Sequence, residues 1–252
     1  MSEKIGLLAA MRQESDALLD RVNQQKEIRI GGLRGCFFSI SGQSCVLITS
    51  GMGVRRARQA AQVLVQEYDP HMLISFGIAG AVEADLDIGD VVLPQAFCKL
   101  EHGIPGELTA LAPWPALALE AANQELTRLK QHIYLGTAVT TNGSNGSQAQ
   151  LEGLAHPVLE METAGIAEIA AKSGIPLLSL RAISDGPRAP LPLDLAEVMD
   201  EDANLKMGKM LISIIRNPSI ILKSRQMMRN TTLAAKHAAL ALVAAIGNSA
   251  IC

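Results

Sequence analysis

The stretch from Val158 to Pro187, VLEMETAGIAEIAAKSGIPLLSLRAISDGP, decides the fold. Val158 to Met161 reads as a strand. Thr163 to Ser173 reads as a helix closed by Gly174, a residue suited to the left-handed conformation that ends helices. Leu177 to Ile183 is a run buried throughout, stopped by the turn signals Ser184-Asp185-Gly186-Pro187. A strand apolar on both faces needs layers on both sides of its sheet, which is the environment of a parallel or mixed sheet in an α/β protein.

The same alternation extends outward. Ile5 to Ala10 reads as a buried strand and Arg12 to Val22 as an amphipathic helix. Short strands are expected at Glu27–Ile30, Cys36–Ile40 and Val46–Thr49, with Gly31-Gly32, Gly35 and Gly42 as turns. Ser50-Gly51-Met52-Gly53 leads into a helix over Arg55–Glu67. Met72–Phe76 is an apolar run ending in a glycine-bearing turn, Gly77 to Gly80. Val91–Leu93 and Ile133–Val139 are further strands, around a helix near Pro115–Gln131, and Thr140 to Ser147 is a loop. Two helices with a break at Asn217-Pro218 make up most of the tail. In the first, Met207, Met210, Leu211, Ile214 and Ile215 share one face. The expected organisation is an α/β domain over residues 1–200 and a basic helical C-terminal extension over 201–252.

Composition bounds the function. Of 252 residues, 48% are hydrophobic and 19% charged, enough to exclude a disordered chain, and no short repeat suggests a fibre or solenoid. The start shows no signal-peptide layout, and the apolar run Ala238–Ile246 is too short to span a bilayer. Cys36, Cys45, Cys98 and Cys252 lack metal-ligand spacing and are too few for a disulfide scaffold. A soluble, reduced, cytoplasmic protein is expected. The net charge of −3 is uneven: residues 203–252 carry seven Lys and Arg and no acid, which leaves −10 on the remainder. This fits amphipathic helices packed on the domain or on a partner; it also fits a surface near anionic lipid head groups.

Ligands in such sheets bind beyond the carboxyl ends of strands, so polar residues there are the first candidates. Glu14 follows the first strand, Glu160-Met161-Glu162 sits at a strand-to-helix junction, and Ser184-Asp185 closes the most apolar strand. A carboxylate desolvated in a crevice is a proton donor; singly, each also has an ordinary reading, Asp185 as a turn residue and Glu162 as a helix cap. Gly51-Met52-Gly53 and Gly77-Ile78-Ala79-Gly80 place backbone amides where an anion or a sugar hydroxyl can approach. Arg55, Arg56 and Arg58 after Gly53 read equally as phosphate contacts or as a solvated face. There is no full dinucleotide fingerprint, no Walker A lysine, no nucleophile elbow and no histidine ligand spacing, so no metal and no organic cofactor is expected.

In their order and spacing, IGLLAAMRQE (Ile5 to Glu14), SGMG (Ser50 to Gly53), FGIAGA (Phe76 to Ala81), IGDVVLP (Ile88 to Pro94), LEMETAGIA (Leu159 to Ala167) and RAISD (Arg181 to Asp185) resemble the nucleoside phosphorylase/nucleosidase superfamily, which includes methylthioadenosine/S-adenosylhomocysteine nucleosidases. The resemblance implies a three-layer fold with a mixed sheet and cleavage of a purine N-glycosidic bond. It gives Asp185 the role of protonating N7 of the leaving purine, with Ser184 orienting it. It gives Glu162 the ribose hydroxyls, Met161 a packing role against the sugar, Gly80 a place in the binding site and Glu14 the positioning of water. Ile78 stands where the nucleosidases usually carry Ser, and Thr140 to Ser147 lacks their base-stacking aromatic. The last third, with Arg188, Leu191-Pro192 and Arg216-Asn217-Pro218, is similar to hopanoid-associated phosphorylases. That likeness makes phosphate the expected acceptor, held by Gly53 and Arg55, Arg56 and Arg58, and a lipid-linked adenosyl compound the expected substrate; hydrolysis by a nucleosidase is the alternative, and a nucleoside-binding protein without activity the second. The expected partners are a purine nucleoside, phosphate, a second copy in a homodimer and the membrane surface through the tail, with no nucleic acid.

Overall fold

The computed structural model describes residues 3–142, 148–190 and 219–248. The expected boundary near residue 200, the face from Met207 to Ile215, the Asn217-Pro218 break, Leu191-Pro192, Cys252 and residues 143–147 of the polar loop lie outside the described residues.

Among the described residues, eleven strands form one mixed sheet in the order β10-β9-β6-β11-β5-β1-β4-β3-β2, with β7 and β8 paired to β6. The central strands are β1 (Lys4–Ala9), β4 (Gln43–Thr49), β5 (Met72–Ala81) and β11 (Leu177–Asp185), all parallel to their neighbours in this group. The hairpins of β2 (Lys26–Ile30) and β3 (Leu33–Ile40) extend one edge antiparallel. On the other side, β6 (Val91–Glu101), β9 (Ile133–Thr140) and β10 (Pro157–Glu160) follow, and β7 (Ile104–Pro105) and β8 (Thr109–Ala110) fold back on β6. Strand β10 also pairs antiparallel with β5, Leu159 opposite Gly80. The path β5-β11-β6-β9-β10 therefore closes on itself. This closure puts the residues after β10 beside the carboxyl end of β5.

Alternation along the buried strands feeds two cores. Leu7, Leu47, Ile74, Phe76 and Leu180 face one side, under α1 (Arg12–Leu19), α3 (Ala116–Arg128) and α5 (Ser219–Gly247). Leu8, Ile48 and Leu73 face the other, under α2 (Val54–Tyr68) and α4 (Thr163–Ser173). Ala234, Ala235, Ala238, Ala239, Leu242 and Ile246 of α5 are buried in the first core, so this length of the tail is part of the body of the domain. Its small residues let the helix lie close to the sheet. No helix among the described residues is long and apolar enough to cross a membrane.

Three local expectations are corrected. Gly35 is not a turn but lies within β3, paired with Ile28 and Ile48. Gly77 to Gly80 is strand, not turn: β5 continues to Ala81 because β11 and β10 hold it on both sides. Strand β6 runs to Glu101, far beyond Leu93, because β9 and β8 satisfy its backbone past the apolar run. The helix over Thr163–Ser173, ended by Gly174 at φ +66°, has the expected bounds.

Helices α2 and α4 touch backbone to backbone at Gly165, where a Cβ would overlap the Val54 carbonyl oxygen. Gly165→Ala is therefore expected to destabilise the protein by about 1–3 kcal/mol, the usual cost of overpacking. Chemical denaturation of both proteins under identical conditions measures it.

Candidate active site

Glu14 occupies the third position of α1. Its Oε2 accepts a hydrogen bond from the Met11 amide (2.7 Å) and its Oε1 one from the Ile78 amide (3.0 Å). The first bond answers an unpaired donor at the helix start; the second ties the helix to β5. The carboxylate can reach Ile78 only because Gly77 has no side chain: a Cβ there would overlap Glu14 Oε1.

Glu162 precedes α4, but its side chain does not cap that helix. Its Oε1 accepts from the Gly53 amide at 3.0 Å, and its Oε2 from the Met161 amide at 3.3 Å. Gly53, at φ +101°, directs its amide this way from the start of α2. The close crossing at Gly165 is what brings the two helix starts together. Glu160 takes the helix amides instead: its Oε2 accepts from the Glu162 and Thr163 amides (3.0 and 2.8 Å) and the Thr163 hydroxyl (2.9 Å).

Arg181, fully surrounded in β11, donates from Nη2 to Glu160 Oε2 (2.9 Å), Ser75 Oγ (2.6 Å) and Thr163 Oγ1 (3.1 Å). Thr140 donates to Glu160 Oε1. Sequence reasoning assigned no role to Arg181, Ser75 or Glu160 individually. The available signal was one arginine inside the otherwise apolar LLSLRAI.

Asp185 ends β11. Its pairing with β5 slips by one residue at Ser184, so that Ile183 lies opposite Ala79 and Asp185 opposite Gly80. Ser184 donates to Asp185 Oδ1 at 2.6 Å, and a Cβ at Gly80 would stand 2.7 Å from Oδ2. Glu14, Glu162, Ser75, Gly77, Ile78 and Arg181 line a common cavity of about 10 Å³, which is room for about one water centre. Asp185 is not in its lining and lies further along β5, beside Gly80.

The three arginines sit elsewhere. Arg58 pairs with Glu168 of α4 (3.1 Å), and the Arg56 side chain packs over Gly51. A larger groove of about 680 Å³ runs between β6–β8 and α4, lined by Phe97, Leu111, Ala167, Ala171 and Ile175. Its walls are mainly apolar and it contains none of Glu14, Glu162 or Asp185, so the chemistry is assigned to the smaller cavity. The described residues also bring together Glu83, Asp85 and His156, with ligand atoms within 4.8 Å, but His156 Nδ1 is already bonded to Glu83 (2.9 Å).

The electrostatics follow from one guanidinium among three carboxylates. Burial alone would raise Glu160, but Arg181 and the Thr140 hydroxyl outweigh it and hold the group below its ordinary value. Burial, and then the neighbouring Glu160 charge, push Glu162 up to about 7 against Arg181 and the Gly53 amide. Burial raises Glu14 despite its backbone donors, and raises Asp185 against the Ser184 hydrogen bond. Glu162 is thus a carboxyl that can accept or give a proton near neutrality, and burial shifts Glu14 and Asp185 in the same direction.

Residues 4–216 match the family model of the phosphorylase superfamily. A 5'-methylthioadenosine/S-adenosylhomocysteine nucleosidase of Actinobacillus succinogenes is 30% identical over 196 residues, covering 72% of this chain and 85% of that protein. The chain belongs to the phosphorylase superfamily. A nucleosidase of the same description from Oceanobacillus iheyensis is 27% identical over 199 residues, covering 72% and 85%. Two solved structures share the fold at TM-score 0.70 and 18% identity: the Neisseria meningitidis nucleosidase with methylthio-immucillin-A (97% and 99% covered) and the Helicobacter pylori futalosine hydrolase (98% of each). As a member of the superfamily, this protein is an enzyme of the nucleosidase/phosphorylase type that cleaves the N-glycosidic bond of a purine nucleoside. Its mixed sheet between helical layers is the three-layer architecture expected.

Because a Cβ at Gly77 would displace the Glu14 carboxyl, Gly77→Ala is expected to lower kcat by about 10²-fold if that carboxyl moves a proton, with KM changed far less; steady-state kinetics check it. Stability should also report Glu162. A carboxyl raised to about 7 stabilises the fold below the unfolded value near 4.5 and loses that contribution as pH climbs through 7. Denaturation curves from pH 5 to 8 should fall less steeply for Glu162→Gln than for the natural protein.

Proposed function

We propose that this superfamily member hydrolyses adenine nucleosides of the methylthioadenosine type, with water, not phosphate, as acceptor. The observation that carries this is the pair of carboxyls, Glu14 and Glu162, that line one cavity with Ser75 and Arg181. A phosphate dianion would meet two buried carboxyls there, while the arginine is already bonded to Glu160. The Gly53 amide is engaged by Glu162 and Arg58 by Glu168, which weighs against a phosphate cradle at Gly53, Arg55, Arg56 and Arg58. The relatives named above are nucleosidases, which further favours this reading over a hopanoid-associated phosphorylase acting on a lipid-linked compound.

In this reading the C1'–N9 bond breaks with its electron pair passing to the purine. Asp185, whose pKa burial raises and whose carboxyl Ser184 orients, gives a proton to N7. Glu162 accepts hydrogen bonds from the ribose hydroxyls, stabilising the positive charge that grows on the sugar. Glu14, fixed by the Met11 and Ile78 amides, takes a proton from the water as its oxygen bonds to C1'. Met161 packs against the sugar, and Gly80 leaves room beside Asp185. A homodimer belongs to the same proposal, since Ile104 and Leu108 stand exposed on the β7–β8 side.

Adenine release from methylthioadenosine should proceed equally with and without phosphate and yield the free sugar. Asp185→Asn should reduce it by at least about 10²-fold while leaving the melting curve in place. Release that requires phosphate and yields a sugar 1-phosphate would restore the phosphorylase.

A further inference from the structure

Helix α5 buries one face in the domain and leaves a second face with a different composition. Asn230, Ala234, Ala235, His237, Ala238 and Ala241 are buried; Arg225, Met228, Arg229, Thr232, Leu233 and Lys236 are exposed. At 100° per residue these six exposed positions fall on one stripe, about 16 Å long at 1.5 Å per residue. Met228 is 61% and Leu233 42% exposed, so two large apolar side chains stand in water between three cations.

We propose that this stripe docks the enzyme on a bilayer surface rich in anionic lipid head groups. Three observations favour that occupant. The helix lies along the surface and cannot insert end-on, because its other side fills the core that α1 and α3 share. Apolar side chains interleaved with Arg and Lys on one exposed face are the pattern of an interfacial helix, the cations meeting head groups and the apolar groups entering just below them. The helix carries no acid, so the exposed face with Arg225, Arg229 and Lys236 has no negative charge of its own to offset it. On the flanking helices Glu125 is bonded to Arg128 and Asp16 to Arg34, while Glu120 on α3 and Asp20 at the end of α1 have no cationic partner among the described residues. Leu129 (46% exposed) and Lys130, at the end of α3, continue the apolar-and-cationic character. They lie beside the α5 turn at His237, since Gln131 and His237 both crowd Gly89. The inference does not depend on which acceptor the enzyme uses.

The test is co-sedimentation of the full chain with vesicles of phosphatidylcholine alone or with added phosphatidylglycerol. Binding is expected only with the anionic lipid and should weaken as salt rises. Reversing Arg225, Arg229 and Lys236 to Glu should lower partitioning by at least about 10²-fold. Met228→Ser with Leu233→Ser should lower it at constant salt, and neither variant should alter adenine release from a soluble nucleoside or the melting curve. No binding to anionic vesicles, or equal binding by the charge-reversed variant, overturns the proposal. So does capture of a labelled oligonucleotide through the stripe without vesicle binding, which would make the face a nucleic-acid surface.

Discussion

The ion pair between Arg181 and Glu160 is the constraint on which the site is built. Both side chains are almost wholly enclosed, and removing two charges from water costs several kcal/mol per ion unless geometry and further hydrogen bonds repay it. Here they do: Glu160 receives two helix amides, two hydroxyls and the guanidinium. The result is a rigid junction of β10, α4, β11 and β5. Because Glu160 satisfies the start of α4, Glu162 is released from capping that helix and can turn toward Gly53. An ion pair of this kind contributes more to position than to stability.

The same pair sets the proton inventory. One guanidinium lies among three buried carboxyls, and Glu160 takes most of its effect. Glu162 then sits beside a fixed negative charge and is driven toward 7, while burial raises Glu14. The three differ by environment, not by residue type. Asp185 lies apart from the cavity and has a hydroxyl as partner where the others have amides or a cation. In the proposed reading, its place beside Gly80, outside the cavity lining, separates proton donation at the base from charge stabilisation at the sugar.

Much of this was legible in the sequence, and the residues show why the rest was not. The strand-helix-strand of Val158 to Asp185 has the expected periods because each element is fixed by its own buried face. The glycines at 77 and 80 misled because glycine marks turns in general. In this protein they mark close approach, with Glu14 against one and Asp185 against the other. Strands β7 and β8 have two residues each, too few for any period to appear. Gly53 suggested an anion site correctly in chemistry, but the anion its amide meets is the chain's own Glu162, a pairing across 109 residues that no local pattern can reveal. Arg181 was quoted within a motif and given no work, since its partners come from three other elements.

The choice between water and phosphate turns on how the cavity is made negative. A phosphate site normally gathers unpaired amides and cations around an empty space. In this cleft the amides of Met11, Gly53 and Ile78 all point at carboxylates that the chain itself supplies. The backbone thus spends its anion-binding capacity on Glu14 and Glu162. What remains is a small space with acceptors on two sides and the Ser75 hydroxyl and Arg181 nearby. In the proposed reading, a neutral molecule with two protons to donate and lone pairs to offer fits that arrangement better than an anion, because the backbone donors are already engaged. Ile78 fits the same logic. Its side chain adds no hydroxyl, but its amide is the donor that holds Glu14 in place. The backbone at this position does the positioning, whatever the side chain.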